Sequence, residues 1–385
     1  MCSRSSGWFV LRSANFRAAH RTLPRRRVRV RRPAPFTPRR PRPAFGRLAF
    51  YIMRLQLSLL ITTATIVHAT IQFSPLPLYL PAPGRVVAVG DVHGDASSFV
   101  TTLKIAGLID PGSSIEDATW TGGDATLVQC GDILDRGAEE AECWELLQRL
   151  KAEAPQTDGR VVALLGNHEV LNVLGKAGNY VHPMGRSQFG EDRCAAFQPG
   201  GDLAQLLAEF PIFAIIGDSC FVHASLPRRA TRPMLERINM YTRRWLLGEG
   251  GVPLALLGGR DSPVWDRTYS YPYDEEVWCD DCDELGGLLR DLGVSRLVLG
   301  HTPQTNVNSA CDGKVWRCDT GQSRWVMGGA CEALEICKDG TVRVLRESSP
   351  HEGPRGAETA SRLTDEREAL DAPACASGDD VEFYN

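Results

Sequence analysis

Residues 84–95 read Gly-Arg-Val-Val-Ala-Val-Gly-Asp-Val-His-Gly-Asp, a short apolar run followed by acids and a histidine. Four-residue apolar runs bounded by glycine and polar residues are typical of strands that are buried on both faces of a sheet. Polar residues just after such a strand lie at the carboxyl edge of the sheet, where open α/β proteins place their sites. This stretch therefore predicts an α/β fold with a polar site that includes Asp91 and His93.

The same pattern recurs four more times along the chain. Apolar runs precede or enter Gly131-Asp-Ile-Leu-Asp-Arg-Gly137, Gly166-Asn-His-Glu169, Val222-His-Ala-Ser225 and Gly300-His-Thr302. Because strands of one open sheet bring their polar ends to a common edge, these blocks are expected to meet in space. Each block alone is more often a turn, a helix cap or a buried core histidine than part of a site, and only their joint order argues for a site. The six metal-type side chains are Asp91, His93, Asp132, Asn167, His223 and His301.

These six side chains suit two cations. Side chains at positions i and i+2 of an extended segment lie on the same side, so Asp91 and His93 can reach one ion. Asp132 has two carboxylate oxygens and can bridge to a second ion, which the remaining three ligands would complete. This mixture of nitrogen and oxygen donors favours Mn, Fe or Zn over calcium. Two such ions about 3.5–4 Å apart can hold a phosphate and generate a hydroxide between them.

Three further residues are suited to handling a phosphate ester. The planar guanidinium of Arg136 can bind two phosphate oxygens at once, which a lysine cannot do. His168 directly follows a ligand and is the candidate general acid for the leaving oxygen, oriented and kept protonated by Asp135. The expected reaction is in-line attack of a metal-bound hydroxide on phosphorus, with the charge of the equatorial oxygens stabilised by the cations and Arg136.

In this order the blocks resemble the calcineurin-like metallophosphoesterases, and specifically the PPP-type protein phosphatases. The segments Ser262-Pro-Val-Trp-Asp-Arg267, Gly300-His-Thr-Pro-Gln304 and Val315-Trp-Arg-Cys-Asp-Thr-Gly-Gln-Ser323 are most similar to the bacterial-like branch called Shewanella-like phosphatases. The resemblance covers about residues 84–346. It implies an α/β/β/α sandwich with two central mixed sheets and helical insertions.

The resemblance also implies roles for individual residues. Asp91, His93 and Asp132 would hold the first metal, while Asp132, Asn167, His223 and His301 would hold the second. His168 with Asp135 would be the acid pair, Arg136 the phosphate clamp, and Arg267 a second phosphate-binding arginine. The chain has His223-Ala-Ser225 where the eukaryotic PPP enzymes usually have His-Gly-Gly, so their preference for phosphoserine and phosphothreonine cannot simply be transferred. Phosphotyrosine stays open as the substrate.

The function expected from these observations is metal-dependent hydrolysis of phosphate monoesters on phosphoproteins or phosphopeptides. A dinucleoside polyphosphate hydrolase would use much the same blocks and is the alternative enzyme. A non-catalytic scaffold on a phosphatase fold is the alternative from another class, although the complete set of site residues argues against it.

Charge divides the chain into two parts. Residues 1–90 hold 16 arginines and no Asp, Glu or Lys, so the other 27 basic residues face 47 acidic ones and residues 91–385 carry a formal charge of −20. Such an acidic domain does not favour nucleic acid as a partner. The Arg-rich, acid-poor start is typical of a targeting segment.

Residues 53–69 have a positive start, an apolar middle and small residues near the end, which is the design of a secretory signal peptide. Met53 could then be the true start. If Met1 is used, this stretch could be a short membrane anchor or part of an organellar presequence.

We therefore expect residues 1–83 to be a targeting region, residues 84–346 the catalytic domain and residues 347–385 a disordered acidic tail. The expected location is the secretory pathway or an organelle, ahead of the cytosol.

The twelve cysteines agree with an oxidising compartment. Cys279 with Cys282, Cys311 with Cys318, and Cys331 with Cys337 lie in or beside expected loops of the C-terminal half, where disulfides would account for them. A structural zinc site or a redox-active pair at Cys279 are the competing interpretations.

Two long insertions, residues 170–209 and 231–257, are expected to form a helical rim over the metal edge, where Tyr180, His182 and Arg186 could touch a substrate.

Overall fold

The computed structural model describes residues 76–190 and 192–347. Residues 53–69, the expected signal segment, and residues 348–385, the expected acidic tail, lie outside the described residues. Most of the expected targeting region does so as well.

Within the described residues, eleven strands form two sheets. The strands are β1 (Tyr79–Leu80), β2 (Val86–Val89), β3 (Thr126–Gln129), β4 (Arg160–Ala163), β5 (Phe213–Ile216), β6 (Ser219–Val222), β7 (Arg296–Leu299), β8 (Asn308–Ala310), β9 (Val315–Arg317), β10 (Glu332–Ile336) and β11 (Val342–Arg346). The sequence predicted strands before or at each of the five blocks, and these strands, β2, β3, β4, β6 and β7, are confirmed. Because β1 pairs with β5, the sheet begins upstream of residue 84, the start expected for the catalytic domain.

Both sheets are mixed. The first has five strands in the order β11-β10-β2-β3-β4, with β2, β3 and β4 parallel and β10 antiparallel to its two neighbours. The second has six strands in the order β1-β5-β6-β7-β9-β8, with β6, β7 and β9 parallel. Each sheet therefore has three parallel strands whose carboxyl ends lie side by side.

The alternation of side chains along the strands builds two cores. Val86 and Ala88 of β2 join a buried cluster that also contains Ala214 and Phe221 of the other sheet, so the two sheets pack face to face. Val87 and its alternate neighbours belong to a second cluster shared with the helices. The layers are therefore helix, sheet, sheet and helix, which confirms the expected sandwich.

The helices are α1 (Ala96–Ile105), α2 (Glu140–Glu153), α3 (Asn167–Val173), α4 (Arg193–Phe197), α5 (Asp202–Leu207), α6 (Arg232–Leu246) and α7 (Cys279–Leu292). Single 3₁₀ turns occur at Ala154–Thr157, Gly185–Ser187 and Leu254–Leu256. The insertion at residues 231–257 is largely helical, as expected, whereas the one at 170–209 consists of short helices joined by longer loops. None of the helices in the described part of the chain has the length and apolar character that crossing a bilayer requires.

The cysteine pairs suggested by the sequence are wrong. Cys282 on α7 is bonded to Cys311 in the turn between β8 and β9, while Cys318 is buried and free. Cys331 and Cys337 are also free because they flank the five residues of β10, whose extended backbone spans about 17 Å, far beyond the reach of a disulfide. The sulfurs of Cys282 and Cys311 are occupied by their bond, which removes the zinc and redox-pair interpretations that used Cys282.

Candidate metal and active site

All six candidate metal ligands lie just beyond the carboxyl ends of the parallel strands. Asp91 and His93 follow β2, Asp132 follows β3, and Asn167 opens α3 after β4. From the second sheet, His223 follows β6 and His301 follows β7. All six side chains are buried, so the two sheets enclose the site between their edges.

Asp132 lies at the centre of this group. Its Oδ2 atom is 3.7 Å from Nε2 of His93 and 3.4 Å from Nε2 of His223. Asp91 Oδ2 lies 3.9 Å from the same His93 nitrogen, and Asn167 Oδ1 lies 2.9 Å from the same His223 nitrogen. A carboxylate with histidines on both sides is the arrangement expected of a bridging ligand between two ions.

Three of the histidines are oriented by backbone carbonyls. His93 Nδ1 lies 3.0 Å from the carbonyl oxygen of Leu134, His223 Nδ1 lies 2.8 Å from that of Cys130, and His301 Nε2 lies 3.2 Å from that of Trp265. A ring nitrogen that donates to a carbonyl leaves the other nitrogen with its lone pair for a metal. These hydrogen bonds to backbone carbonyls therefore leave Nε2 of His93 and His223, and Nδ1 of His301, as the atoms that would coordinate a metal.

At this edge of the sheets, two groups of described side chains are close enough to hold an ion: His93, Asp132 and His168, and Asp132, His223 and His301. The first group contains His168, which the sequence assigned to acid catalysis. Burial opposes protonation of His168, but the carboxylates of Asp132 and Asp135 raise its pKa above the ordinary value. A protonated imidazole cannot coordinate a metal, which makes His168 less suited to be a ligand than His93 and Asp132.

The electrostatics of the site fit cations. Burial and the nearby carboxylates of Asp319 and Asp132 raise the pKa of Asp91 well above its usual range. Burial also raises the pKa of Asp319 to about 6, although this carboxylate accepts the N–H of Gly321. Three carboxylates in one buried site repel each other unless positive charge separates them. Divalent cations would supply that charge at the point where the ligand atoms converge.

Two of the candidate histidine ligands are held neutral. Burial lowers the pKa of His93 and His301 well below the ordinary value. Neutral imidazole is the form that binds a metal. His223 differs, since burial opposes its protonation but the Asp132 carboxylate raises its pKa, and a cation between these two side chains would take the place of the proton.

The backbone of the site is strained where it carries the site residues. His93, Asp132, Asp135, Arg136 and His301 all have positive φ angles, between 46° and 68°. Such angles are uncommon for residues with a Cβ and persist only where the surroundings hold them. Strain concentrated at the ends of β2, β3 and β7 is typical of a functional site.

Two glycines in the blocks are required for close approach to the ligands. A Cβ at Gly166 would lie 2.1 Å from Oδ1 of Asp132, and a Cβ at Gly300 would lie 2.4 Å from Oδ1 of Asp91. Neither distance is possible for real atoms. These glycines therefore let the strand ends pack directly against the carboxylates.

The predicted acid pair is present. His168 Nδ1 lies 2.7 Å from Oδ2 of Asp135, and both side chains are buried. The His168 ring also packs edge-on against the rings of His93 and Tyr180, at centroid distances of 4.7 and 4.9 Å. Its Nε2 is therefore the ring atom left to exchange a proton with a substrate beside the metal ligands.

The two predicted phosphate-binding arginines lie at the same edge of the fold. The Arg136 guanidinium stacks on the Tyr180 ring, 5.0 Å from its centroid, and the backbone N–H of Arg136 donates to the Tyr180 carbonyl at 2.7 Å. Arg267 Nη1 donates to the His301 carbonyl at 3.0 Å and to Oγ1 of Thr302 at 2.8 Å. Both arginines are thus held beside the candidate ligands, as the resemblance implied.

Two loops meet above the site, and together they form what we call the aromatic rim: Tyr180, His182 and Trp325. The His182 and Trp325 rings are 4.6 Å apart, and the Trp325 side chain is 40% exposed. The Trp325 loop is fixed to the site because Ser323 Oγ donates to the His93 carbonyl at 3.3 Å. The insertion at residues 170–209 thus reaches the metal edge, as expected, while Arg186 is exposed and makes no hydrogen bond or ion pair among the described residues.

Three residues of the site were not singled out from the sequence. Glu169 accepts four backbone N–H groups around Asp132, Asp319 adds a carboxylate to the metal edge, and Arg193 donates to Asp135. Glu169 and Asp319 fall inside the quoted motifs, so their position was a usable signal. Arg193 lies in the insertion between two blocks, and only the folded chain brings it to Asp135.

Comparison with known proteins gives a consistent result. The family model of the calcineurin-like phosphoesterases matches residues 84–305. Shewanella-like protein phosphatase 2 of Arabidopsis thaliana is 34% identical over 313 residues, which cover 68% of this chain and 78% of that protein. Shewanella-like protein phosphatase 1 of Plasmodium berghei is 30% identical over 254 residues, covering 62% of this chain and 67% of that protein.

Solved structures show the same fold. The crystal structure of a cold-active protein-tyrosine phosphatase of a psychrophilic Shewanella species matches with a TM-score of 0.55 and 26% identity, covering 70% of this chain and 82% of that one. A protein serine/threonine phosphatase of Saccharomyces cerevisiae matches in fold with a TM-score of 0.51 and 17% identity, over 73% and 86% of the two chains. The chain therefore belongs to the calcineurin-like phosphoesterase family, and it is a metal-dependent phosphatase related to the Shewanella-like protein phosphatases.

Proposed function

We propose that this phosphatase removes phosphate from tyrosine side chains of proteins with two cations chosen from Mn, Fe and Zn. Asp91, His93 and Asp132 would hold one cation, and Asp132, Asn167, His223 and His301 the other. When bound, the cations would supply Lewis acidity and an activated water. The position of Asp132 between two histidine groups, with the His168–Asp135 pair alongside, is the observation that carries the proposal.

The remaining chemistry is assigned to the chain's own residues. Arg136 and Arg267 would bind the phosphate oxygens and stabilise the charge that spreads over them in the transition state. His168 would give the proton on Nε2 to the leaving oxygen, while Asp135 holds Nδ1 and stabilises the imidazolium. The Tyr180 ring, which lies beside both His168 and Arg136, would cover this side of a bound phosphate.

The aromatic rim supports phosphotyrosine as the substrate. An aryl leaving group can pack edge-on or offset against Tyr180, His182 and Trp325, and such ring pairs contribute about 0.5–1.5 kcal/mol beyond their buried area. Phosphoserine has no ring to make these contacts. The structurally similar Shewanella enzyme is a protein-tyrosine phosphatase, which is consistent with this choice.

Initial rates of the full chain on three substrates test the proposal. We would measure kcat/KM for a phosphotyrosine peptide, the matched phosphoserine peptide and a dinucleoside tetraphosphate, with Mn²⁺ and after chelation. The expected result is metal-dependent release that is fastest from phosphotyrosine and is lost in Asn167→Ala. Preference for the nucleotide would instead support the dinucleoside polyphosphate hydrolase, and no turnover with Mn, Fe or Zn would support the scaffold.

The rim itself is tested with a matched pair of tryptophans. Trp325→Ala removes a ring of the rim, whereas Trp278→Ala removes an exposed tryptophan before α7. We expect Trp325→Ala to reduce the preference for phosphotyrosine over phosphoserine by about threefold to tenfold. Trp278→Ala should leave the ratio unchanged, and equal ratios in both variants would contradict the assignment of the rim.

We also propose that the domain works in an oxidising compartment of the secretory pathway or an organelle. The disulfide between Cys282 and Cys311 supports this location, because structural disulfides are rare in reducing cytosol. Fractionation of cells that express the full chain, compared with a chain whose residues 1–75 are deleted, tests it. An organellar full-length chain and a cytosolic truncated chain are expected, and a cytosolic full-length chain would contradict the proposal.

A further inference from the structure

Arg193 is the first residue of α4 and lies behind the acid pair, on the side away from the metal ligands. Its side chain is only 10% exposed. The guanidinium lies over the rings of Phe189 and Phe197, at 5.1 and 5.0 Å from their centroids. Stacked aromatic rings hold a guanidinium plane while leaving its N–H groups free to donate in that plane.

Those N–H groups bind two carboxylates. Nη1 and Nη2 of Arg193 donate to the two oxygens of Glu140, each at 2.8 Å, in a bidentate ion pair. Nη2 also donates to Oδ1 of Asp135 at 3.2 Å. The other Asp135 oxygen, Oδ2, is the one that faces His168. Arg193 and His168 therefore hold opposite oxygens of the same carboxylate.

Arg193 also fixes the amide of Asn172. Its Nε donates to Oδ1 of Asn172 at 3.0 Å, and an arginine can only donate. The amide must therefore turn its oxygen toward Arg193 and its Nδ2 toward Asp135, where it donates to Oδ1 at 2.9 Å. Nδ2 also donates to the His168 carbonyl at 2.9 Å, so Arg193, Asp135 and His168 together fix the amide, which adds a second donor to the same Asp135 oxygen.

Glu140 completes the enclosure of Asp135. Its Oε1 accepts the backbone N–H of Asp135 at 2.6 Å while the same carboxylate is paired with Arg193. Asp135 has a left-handed backbone, with φ of 66°, which needs such support. Both the backbone and the carboxylate of Asp135 are therefore held by one network that is centred on the Arg193 guanidinium.

We propose that Arg193 is a positioning residue for the general acid, which rests on the function proposed above. It holds the Asp135 carboxylate so that Oδ2 meets Nδ1 of His168 and the proton on Nε2 points at the leaving oxygen. Without Arg193, the Asn172 oxygen loses its donor and the two buried carboxylates, Asp135 and Glu140, repel each other. His168 then loses its alignment, while the metal ligands keep the contacts described above.

The dependence of rate on the leaving group separates this role from a merely structural one. A good leaving group needs little help from an acid, whereas a poor one depends on it. In Arg193→Gln we expect kcat/KM for phenyl phosphate to fall by more than about tenfold, and that for a phenyl phosphate with strongly electron-withdrawing substituents by less than about threefold. Arg193→Lys keeps a cation beside Glu140 but cannot bridge to Asn172 and Asp135 together. It should likewise lose more activity on phenyl phosphate than on the electron-poor ester. This variant replaces Arg193→Gln if the Gln variant does not fold.

The matched control is Arg296→Gln. Arg296 is likewise buried and paired with an aspartate, Asp218, at 2.7 Å, but it stands at the opposite end of β7 from His301. Arg296→Gln should either leave kcat/KM unchanged or lower it by the same factor for phenyl phosphate and for the electron-poor phenyl phosphate. Equal losses in the Arg193 variants would overturn the proposal.

A double-mutant comparison with His168→Ala completes the test. If Arg193 acts through His168, Arg193→Gln should add less than about a twofold loss in a chain that already lacks His168, because residues that act as one unit are not additive. A full further loss in that background would overturn the proposal. Absence of turnover by the wild-type chain with each of Mn, Fe and Zn would refute the proposed function together with this assignment, whereas wild-type turnover with equal losses refutes the assignment alone.

Discussion

The carboxylate of Glu169 accepts a hydrogen bond from the backbone N–H of Asp132 at 2.9 Å. The same carboxylate accepts the N–H groups of Ile133, Leu134 and Gly166, at 3.0, 3.2 and 2.9 Å. Glu169, in the first turn of α3, thereby holds the loop after β3 in the left-handed conformation that points Asp132 between the histidines. Support of this kind fixes a metal ligand without touching the metal.

Glu169→Gln is expected to destabilise the protein and weaken metal binding together. The amide can accept on one atom only, so two of the four N–H groups would face its NH₂ donor, at a cost of about 2–4 kcal/mol. We expect metal affinity to fall by about tenfold to a hundredfold. Denaturant unfolding and metal content after dialysis measure both quantities. Glu335→Gln, at a buried glutamate paired with Arg85, is the control and should change stability alone.

Arg136→Lys should retain the metals and lose activity. Lysine keeps the positive charge but not the planar pair of donors that fits two phosphate oxygens. We expect kcat/KM to fall by about a hundredfold, the scale of losing one donor to transition-state charge. Arg237→Lys, at an exposed arginine on α6, should keep wild-type rates. Activity of Arg136→Lys within about threefold of wild type would contradict the clamp assignment.

Metal affinity should fall as the pH falls through about 6. The pKa of Asp319 is raised to about 6, so this carboxyl group takes up a proton on that decrease, and a proton competes with a cation. Burial also raises the pKa of the candidate ligand Asp91, which acts in the same direction. Above about pH 6 Asp319 is ionised, so its protonation no longer weakens binding. Competition titrations on both sides of this pH, with calorimetry in two buffers of different ionisation enthalpy, would detect the proton release. Affinity that is independent of pH would contradict the prediction.

Loss of the disulfide should affect stability and leave the chemistry intact. Cys282 and Cys311 are separated by 29 residues, and opening a loop of this size costs about 3–4 kcal/mol in the chain-entropy account. We expect the double variant Cys282→Ala, Cys311→Ala to unfold at lower denaturant concentration, with wild-type kcat/KM below the transition. Cys279→Ala, at an exposed free thiol, should not change stability.

The apolar runs and the residues that follow them were sufficient to predict the central strands, their burial and the meeting of the five blocks. A strand that is buried on both faces is apolar at every position, so it stands out in the sequence as a short continuous apolar run. A polar group that directly follows such a strand lies at the edge of the sheet. The site residues named from the sequence lie at that edge, with the acid pair and both arginines beside the candidate ligands. Their assigned roles are tested by the variants above.

Other features depended on contacts between residues far apart in the chain. The sequence suggested cysteine pairs from nearness along the chain, but β10 keeps Cys331 and Cys337 apart, and the packing of α7 under the β8–β9 turn brings Cys282 to Cys311. Arg193 reaches Asp135 across 58 positions, and the rim forms where His182 meets Trp325. The periodicity of apolar residues and the order of the motifs indicate the secondary structure and the burial of each segment. They do not indicate which distant side chains come into contact. Packing decides those contacts, because only the folded chain sets the distances between side chains that are far apart in the sequence.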